Sequence, residues 1–303
     1  MKTLYLAKEP GKGVRDDLSR ISGEVVVVDC LNAYGDYYTK KGYNCISKTQ
    51  FFELDGTMRF DYVIGNPPYQ SPNLTGKKGK GGNNSLYIQF IEQAIELCED
   101  GGRISLITPP AGIIKSTIFK QPTPTLQKMV RSGSLDSIDL TVGKHFKVGS
   151  HISRWTFTKG KSQGQVEIKY DDCVEHVNIE SLYYLPPKSD KIERDLYNKI
   201  INNVDGEQLT VVRGQKNQDC TMERFGYPKV QIGGSGVLGF ERKFYEFMSS
   251  SLGLWLLDYV RRHDQMIYHN SLTGIKIPVD GFTLTEEERS FIDDGNWVNF
   301  SRK

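Results

Sequence analysis

The sequence predicts an α/β fold with a mostly parallel sheet, followed by a smaller mixed α+β region. Short apolar runs alternate with helical patterns up to residue 110, the texture of consecutive strand–helix units. The run "EVVVVDC" is β-branched and shows no alternation, as expected of a strand buried on both faces. Past Ser134 the texture changes to closely placed strands with a few amphipathic or apolar helices.

Taken in order, residues 3–7 read as the first strand, 8–13 as a turn and 14–21 as a short helix. The run 24–30 is the second strand, 33–43 a helix and 44–47 a third strand, which "TQFFE" is expected to end. Residues 60–64 form the fourth. From 85 the sequence places Tyr87, Ile91, Ala94, Ile95 and Cys98 on one helical stripe, stopped by Gly101 and Gly102, and "RISLITPP" follows as a strand. Farther on, "DSIDLTV" and "ISRWTFTKG" read as strands and "QVEIKYDD" as one arm of a hairpin. A helix spans 189–204 behind a Ser189 cap, "KVQIGGSGVLGF" is a glycine-rich β segment, and "SLGLWLLDYVRR" is a buried helix. "TEEERSFIDD" is a capped surface helix. The polar segment 159–164 is the expected boundary, giving domains over 1–160 and 161–303.

With 303 residues, 38% apolar and 25% charged, the chain can bury a substantial core and is not of disordered composition. No apolar run approaches the roughly 20 residues of a membrane span, and the first residues lack a signal peptide's long apolar region. A soluble, cytoplasmic protein with no membrane association is expected. Five dispersed cysteines without a C-x-x-C pair point to reduced thiols, and His145, His151, His263 and His269 have no metal-ligand spacing, so no metal is expected. The net charge of +2 hides an asymmetry: nine Lys or Arg against two acids over 111–165, and six acids against one Arg over 280–295. The basic stretch suits phosphate contacts weakened by salt, although charge alone fits a solvated face equally well.

In an open parallel sheet, ligands gather beyond the carboxyl ends of the strands, and the candidate residues all follow such ends. "EPGKG" after the first strand offers Glu9, and Gly11 and Gly13 let a ligand approach backbone N–H groups at a helix start. Asp29 ends the second strand about 20 residues later, the spacing at which a carboxylate takes the ribose hydroxyls of a nucleotide-like cofactor. Gln50 and Phe51 are candidates for the edge and face of that cofactor's base; two core aromatics at 51 and 52 is the competing reading.

The central motif is "NPPY", Asn66 to Tyr69. Pro67 and Pro68 fix φ and donate no N–H, so the turn is stiff and its carbonyls are offered as acceptors. Asn66 adds a side-chain carbonyl and Tyr69 a flat ring. Two acceptors beside a stacking plate suit a planar group that carries an NH₂. Held by both hydrogens, such an amine localises its lone pair and becomes a nucleophile. Next comes the basic, glycine-rich segment 71–84, in which Lys77, Lys78 and Lys80 are candidates for substrate phosphates. Arg213, Lys216, Arg224 and Lys229 lie where base reading is expected.

"FDYVIGNPPYQ", the glycine-rich segment and "NNSLYIQFIEQAIEL" together resemble the adenine-N6 DNA methyltransferases of restriction–modification systems. The resemblance covers the first 160 residues and returns at "SLTGIKIPVD". It implies a Rossmann-like methyltransferase fold, S-adenosyl-L-methionine as cofactor, double-stranded DNA as substrate, and a C-terminal target-recognition region. By residue it implies a cofactor site of Glu9, Gly11, Gly13, Asp29, Gln50 and Phe51, and a catalytic turn of Asn66, Pro67, Pro68 and Tyr69. Phe146 would close the opposite face of a target adenine flipped from the duplex. The same turn occurs in RNA and protein-glutamine methyltransferases. Against the family pattern the cofactor loop is short and Gln50 replaces an acid. That leaves open a pocket completed by a partner chain, a restriction endonuclease partner, or a DNA-binding module without turnover.

Overall fold

A computed structural model describes residues 1–70, 86–114, 122–146, 151–182, 190–209, 211–214, 231–232, 236–240, 242–263, 272 and 275–295. The chain divides into two compact units, one of residues 1–114 with 122–182, the other of 115–121 with 183–303.

The first unit is built on β1 (Lys2–Ala7), β2 (Glu24–Asp29), β3 (Asn44–Ser47), β4 (Phe60–Gly65), β5 (Cys98–Thr108), β6 (Gly133–Asp139), β7 (Ser153–Lys159), β8 (Val166–Lys169) and β9 (Val174–Val177). They form one sheet in the order β3-β2-β1-β4-β5-β7-β6-β8-β9. Neighbours from β3 to β5 are parallel, and β7 runs antiparallel between β5 and β6. This is the mostly parallel, Rossmann-like sheet that the sequence predicts. Both faces of β1 and β2 are covered, since Leu4, Leu6, Val26 and Val28 are as buried as Tyr5, Ala7 and Val27. That explains the lack of alternation in "EVVVVDC". On one face Leu18 of α1 (Lys12–Arg20) and Tyr38 of α2 (Gly35–Lys40) pack on Tyr5, Ala7 and Val27.

Three local expectations are corrected. Residues 48–53 are not the end of the third strand but α3 (Lys48–Glu53), because Ser47 and Gln50 form a reciprocal capping box that starts a helix there. The helix α4 (Leu86–Leu97), which precedes α5 (Pro124–Ser132), stops before Cys98, which opens β5 and pairs with Phe60. The expected boundary at 159–164 falls inside the first unit. Gly160 turns the chain at φ +73°, and β8 and β9 then extend the same sheet beyond β6, so the second unit begins after Leu182.

The second unit packs α6 (Lys191–Asn202), α7 (Tyr245–Ser249), α8 (Ser251–His263) and the helix Glu286–Asp293 around Leu196, Ile200, Trp255, Leu256 and Ile292. Ser189 lies outside the described residues; Asp190 stands at the N-cap of α6, its N–H accepted by Glu193 at 3.2 Å. In α8 every residue from Trp255 to Val260 is buried, as its nearly uniform apolar character requires. Lys199 and Glu288 bridge α6 and the last helix at 2.6 Å. Short strands β10 (Glu207–Gln208) and β14 (Lys276–Ile277) pair with each other, while β11 (Val211–Gly214), β12 (Gln231–Ile232) and β13 (Gly236–Phe240) form a separate antiparallel sheet. Among the described residues no helix is long and apolar enough to cross a membrane.

Candidate active site

Strand order reverses between β1 and β4, and the carboxyl ends of β1, β2 and β4 meet at one edge. Ala7 lies beside Asp29 in the β1–β2 register and Leu6 beside Gly65 in the β1–β4 register. A reversal point of this kind leaves a crevice that helices cannot fill from both sides.

The strand ladder fixes where the Asn66–Tyr69 turn begins. The Asn66 N–H donates to the Leu6 carbonyl at 3.1 Å, so Asn66 continues the β1–β4 ladder by one bond. Pro67 and Pro68 are buried behind it, and Asn66 and Tyr69 are half-buried. The Tyr69 hydroxyl donates to Asn66 Oδ1 at 2.8 Å. A tyrosine phenol is a protonated donor at neutral pH, and burial pushes that of Tyr69 further up, to about 12. The Tyr69 ring lies edge-on to Tyr87 at 6.5 Å, and Lys8 Nζ sits 6.0 Å from its centroid.

Two residues beside this turn, Gly65 and Lys8, escaped the sequence reasoning. Gly65 has φ +141°, and a Cβ there would lie 2.2 Å from the Leu6 carbonyl oxygen. Only glycine lets β4 approach β1 this closely. A glycine ending a strand pattern is the signal that would have pointed to it. Lys8 left no signal, because its proximity to Tyr69 is a product of the β1–β4 pairing.

The glycine-rich loop follows β1. Gly11 is the N-cap of α1 in extended backbone and provides no side-chain cap, with Gly13 in the first turn. A Cβ at either position would meet nothing within 4 Å, and neither has positive φ. Neither packing nor backbone conformation of the chain demands glycine here, which fits a surface kept clear for a ligand. Glu9 is exposed in the same loop.

Asp29 is only 3% exposed. Its Oδ1 accepts the Leu31 N–H at 3.2 Å and its Oδ2 the Tyr34 N–H at 2.6 Å, which organises the β2–α2 loop. Each carboxylate oxygen retains acceptor capacity, so the loop role and a ligand role are compatible. Gln50 is exposed and has a capping role, whereas Phe51 is corrected. The Gln50 carbonyl accepts the Ser47 N–H at 2.8 Å as part of the α3 cap. The Phe51 ring is wholly buried and stacked on Phe90 at 5.3 Å, so it is a core aromatic and presents no face to a ligand.

Phe146 is half-buried just after the 3-10 turn Thr141–His145, which follows β6. Because β6 and β5 both run opposite to β7, Phe146 follows a carboxyl end at the same edge of the sheet as Asn66. Nearby Asp139 binds Arg154 at 3.1 Å across β6–β7 and accepts from Thr141. Lys77, Lys78 and Lys80 lie outside the described residues, as do Lys216, Arg224, Lys229 and the Arg213 side chain. Burial pushes the Cys30 thiol well up, with the Asp29 carboxylate adding to the shift, so this cysteine is not an activated nucleophile. Among the described residues no group of three His, Cys, Asp or Glu could hold a metal ion.

No curated protein matches the chain. A type I restriction-modification methyltransferase subunit from Streptococcus thermophilus is similar at 14% identity and TM-score 0.41, over 55% of this chain and 41% of that one. A structure on assembly and conformational transition of the type I R-M system is similar at 12% identity and TM-score 0.36, over 92% of this chain and 55% of that one. A TehB-like SAM-dependent methyltransferase from Corynebacterium glutamicum is similar at 14% identity and TM-score 0.33, over 52% of this chain and 79% of that one. The chain thus spans 41% and 55% of the length of the first two. Residues 18–143 match the Eco57I restriction-modification methylase family, over less than half of the chain. That span, which holds Asp29 and the Asn66–Tyr69 turn, is similar to the restriction-modification methylases of that family.

Proposed function

We propose that this protein methylates N6 of adenine in double-stranded DNA, with the target base flipped out of the helix. The observation that carries this reading is the position of Asn66. Its N–H is tied to Leu6 at the reversal point of the sheet, and two buried prolines follow it. Asn66 Oδ1 and the Pro67 carbonyl accept the two amine hydrogens, which draws the nitrogen lone pair out of conjugation with the ring. S-adenosylmethionine supplies the electrophilic methyl group. The Tyr69 ring stacks on the base and orients it, at an energy of about 1–3 kcal/mol per stacked base. Phe146 closes the other face. Asp29 would hold the ribose of the cofactor, and the α1 start with Gly11 and Gly13 its methionine end. The basic stretch 111–165 and the lysines of 71–84 take phosphates.

The decisive experiment is transfer of labelled methyl from S-adenosylmethionine to DNA, with the modified base identified after digestion. Label in N6-methyladenine, declining as salt rises, is expected. Label confined to RNA or protein, or transfer only after a second chain is added, would select a different substrate or a partner-completed enzyme.

The open space before Gly13 gives a separate expectation. Gly13→Ala stabilises the ligand-free protein by about 0.5–1 kcal/mol, because alanine loses less backbone entropy in a helix. It also weakens S-adenosylmethionine binding about ten-fold in calorimetry, because the added methyl group occupies ligand space. A more stable variant with unchanged affinity would remove this loop from the cofactor site.

A further inference from the structure

We infer that the Tyr69 hydroxyl is a positioning group for Asn66, separate from the stacking role of its ring. The inference rests on the amine-methylation reading and assigns a second function within the same turn. The side-chain amide of asparagine has two ends of nearly equal size, one an acceptor and the other a donor of two hydrogens. Only the oxygen end can receive a hydrogen from the target amine. With the amide reversed, two N–H groups would face an NH₂, and the lone pair would not be drawn out.

The bond from Tyr69 Oη to Asn66 Oδ1, at 2.8 Å, specifies which end faces Tyr69. It occupies one lone pair of Oδ1 and leaves one for the amine. A phenol is protonated at neutral pH, and burial raises this one further, so the donor is present whenever the enzyme works. The ring that carries the hydroxyl is itself fixed by the edge contact with Tyr87, which is buried. Asn66 is anchored at its backbone by Leu6, and the hydroxyl sets its remaining freedom about the side-chain torsions.

The role predicts a split in the kinetics. Tyr69→Phe retains the ring, so the KM for DNA stays within two-fold. The single-turnover methyl-transfer rate drops about five-fold, the worth of one hydrogen bond of about 1 kcal/mol. An aspartate at position 66 has two equivalent oxygens and no orientation to choose. In an Asn66→Asp background, the cost of Tyr69→Phe therefore falls below two-fold, a coupling that a double-mutant cycle measures. Equal losses in both backgrounds, or a loss carried by KM, would overturn the assignment.

A measurement without turnover guards against an inactive Asn66→Asp protein. The ¹³C resonance of the Asn66 side-chain carbonyl, in ligand-free protein, moves upfield on Tyr69→Phe as the accepted bond is lost. An unmoved resonance overturns the inference on its own. If the wild-type chain transfers no methyl group to any amine, the functional reading fails, and the positioning role with it. If the wild type transfers and the cycle shows no coupling, only the role of the hydroxyl fails.

Discussion

Asn66→Ala is expected to lower methyl transfer to DNA by at least about 10²-fold, the usual cost of deleting one preorganised polar group that acts on developing charge. DNA affinity should stay within a few-fold. On the proposed reading the two effects separate, because the Asn66 side chain would act on the amine in the transition state, while phosphates and the Tyr69 ring would supply ground-state binding. The backbone part of the site survives the change, since the bond to Leu6 uses the Asn66 N–H and not its amide. The Pro67 carbonyl also remains, but a single acceptor draws on only one of the two amine hydrogens. The Tyr69 hydroxyl loses its partner in a half-buried place where water can replace it, so the fold should be little affected. Single-turnover transfer from labelled cofactor measures the first quantity and fluorescence anisotropy with a labelled duplex the second. Retained turnover would mean that the amine is activated elsewhere, and the turn would then be a structural bend.

The strand–helix alternation up to residue 110 was legible because it rests on patterns within about ten residues of each other. β2 announced its burial through four consecutive valines, and Asn66 to Tyr69 announced a rigid acceptor-rich turn through two prolines that any context would stiffen. What the sequence misassigned depended on competition between local signals. At 47–53, a capping box outweighed the apolar run that suggested a longer strand. The pair Phe51 and Phe52 could be read as a cofactor contact or as core, and only the stacking on Phe90, 39 positions away, decides for core. The polar segment 159–164 had the composition of a linker but is a turn between two strands of one sheet. Whether the chain beyond such a turn returns to the same sheet is settled by pairings such as Ile138 with Ile168, which no local window contains. Lys8 beside Tyr69 and the Tyr69 hydroxyl on Asn66 belong to the same class of long-range or side-chain geometry.

Gly65→Ala is expected to be the most damaging single-methyl change in the first unit. The backbone at Gly65 has φ +141°, which an L-residue adopts only at a cost of about 1–3 kcal/mol. The added Cβ would also lie 2.2 Å from the Leu6 carbonyl oxygen and 2.8 Å from the Leu6 nitrogen, both backbone atoms that cannot rotate away. Relief requires β1 and β4 to separate at the reversal point, which disturbs the bond of 3.1 Å from Asn66 to Leu6. A total loss of at least about 3 kcal/mol follows, and with it a fall in Tm of roughly 10 °C for a unit of this size. Gly42→Ala is the matched control. It too has positive φ, +86°, but a Cβ there would meet nothing within 4 Å. Its cost is the conformational one alone, about 1–2 kcal/mol. Thermal unfolding followed by circular dichroism should therefore rank Gly65→Ala well below Gly42→Ala. Any Gly65→Ala protein that still folds should transfer methyl slowly at a temperature where it remains folded, because Asn66 has lost its register. A Gly65→Ala variant as stable and as active as Gly42→Ala would show that the close approach of β1 and β4 is not what places the acceptor.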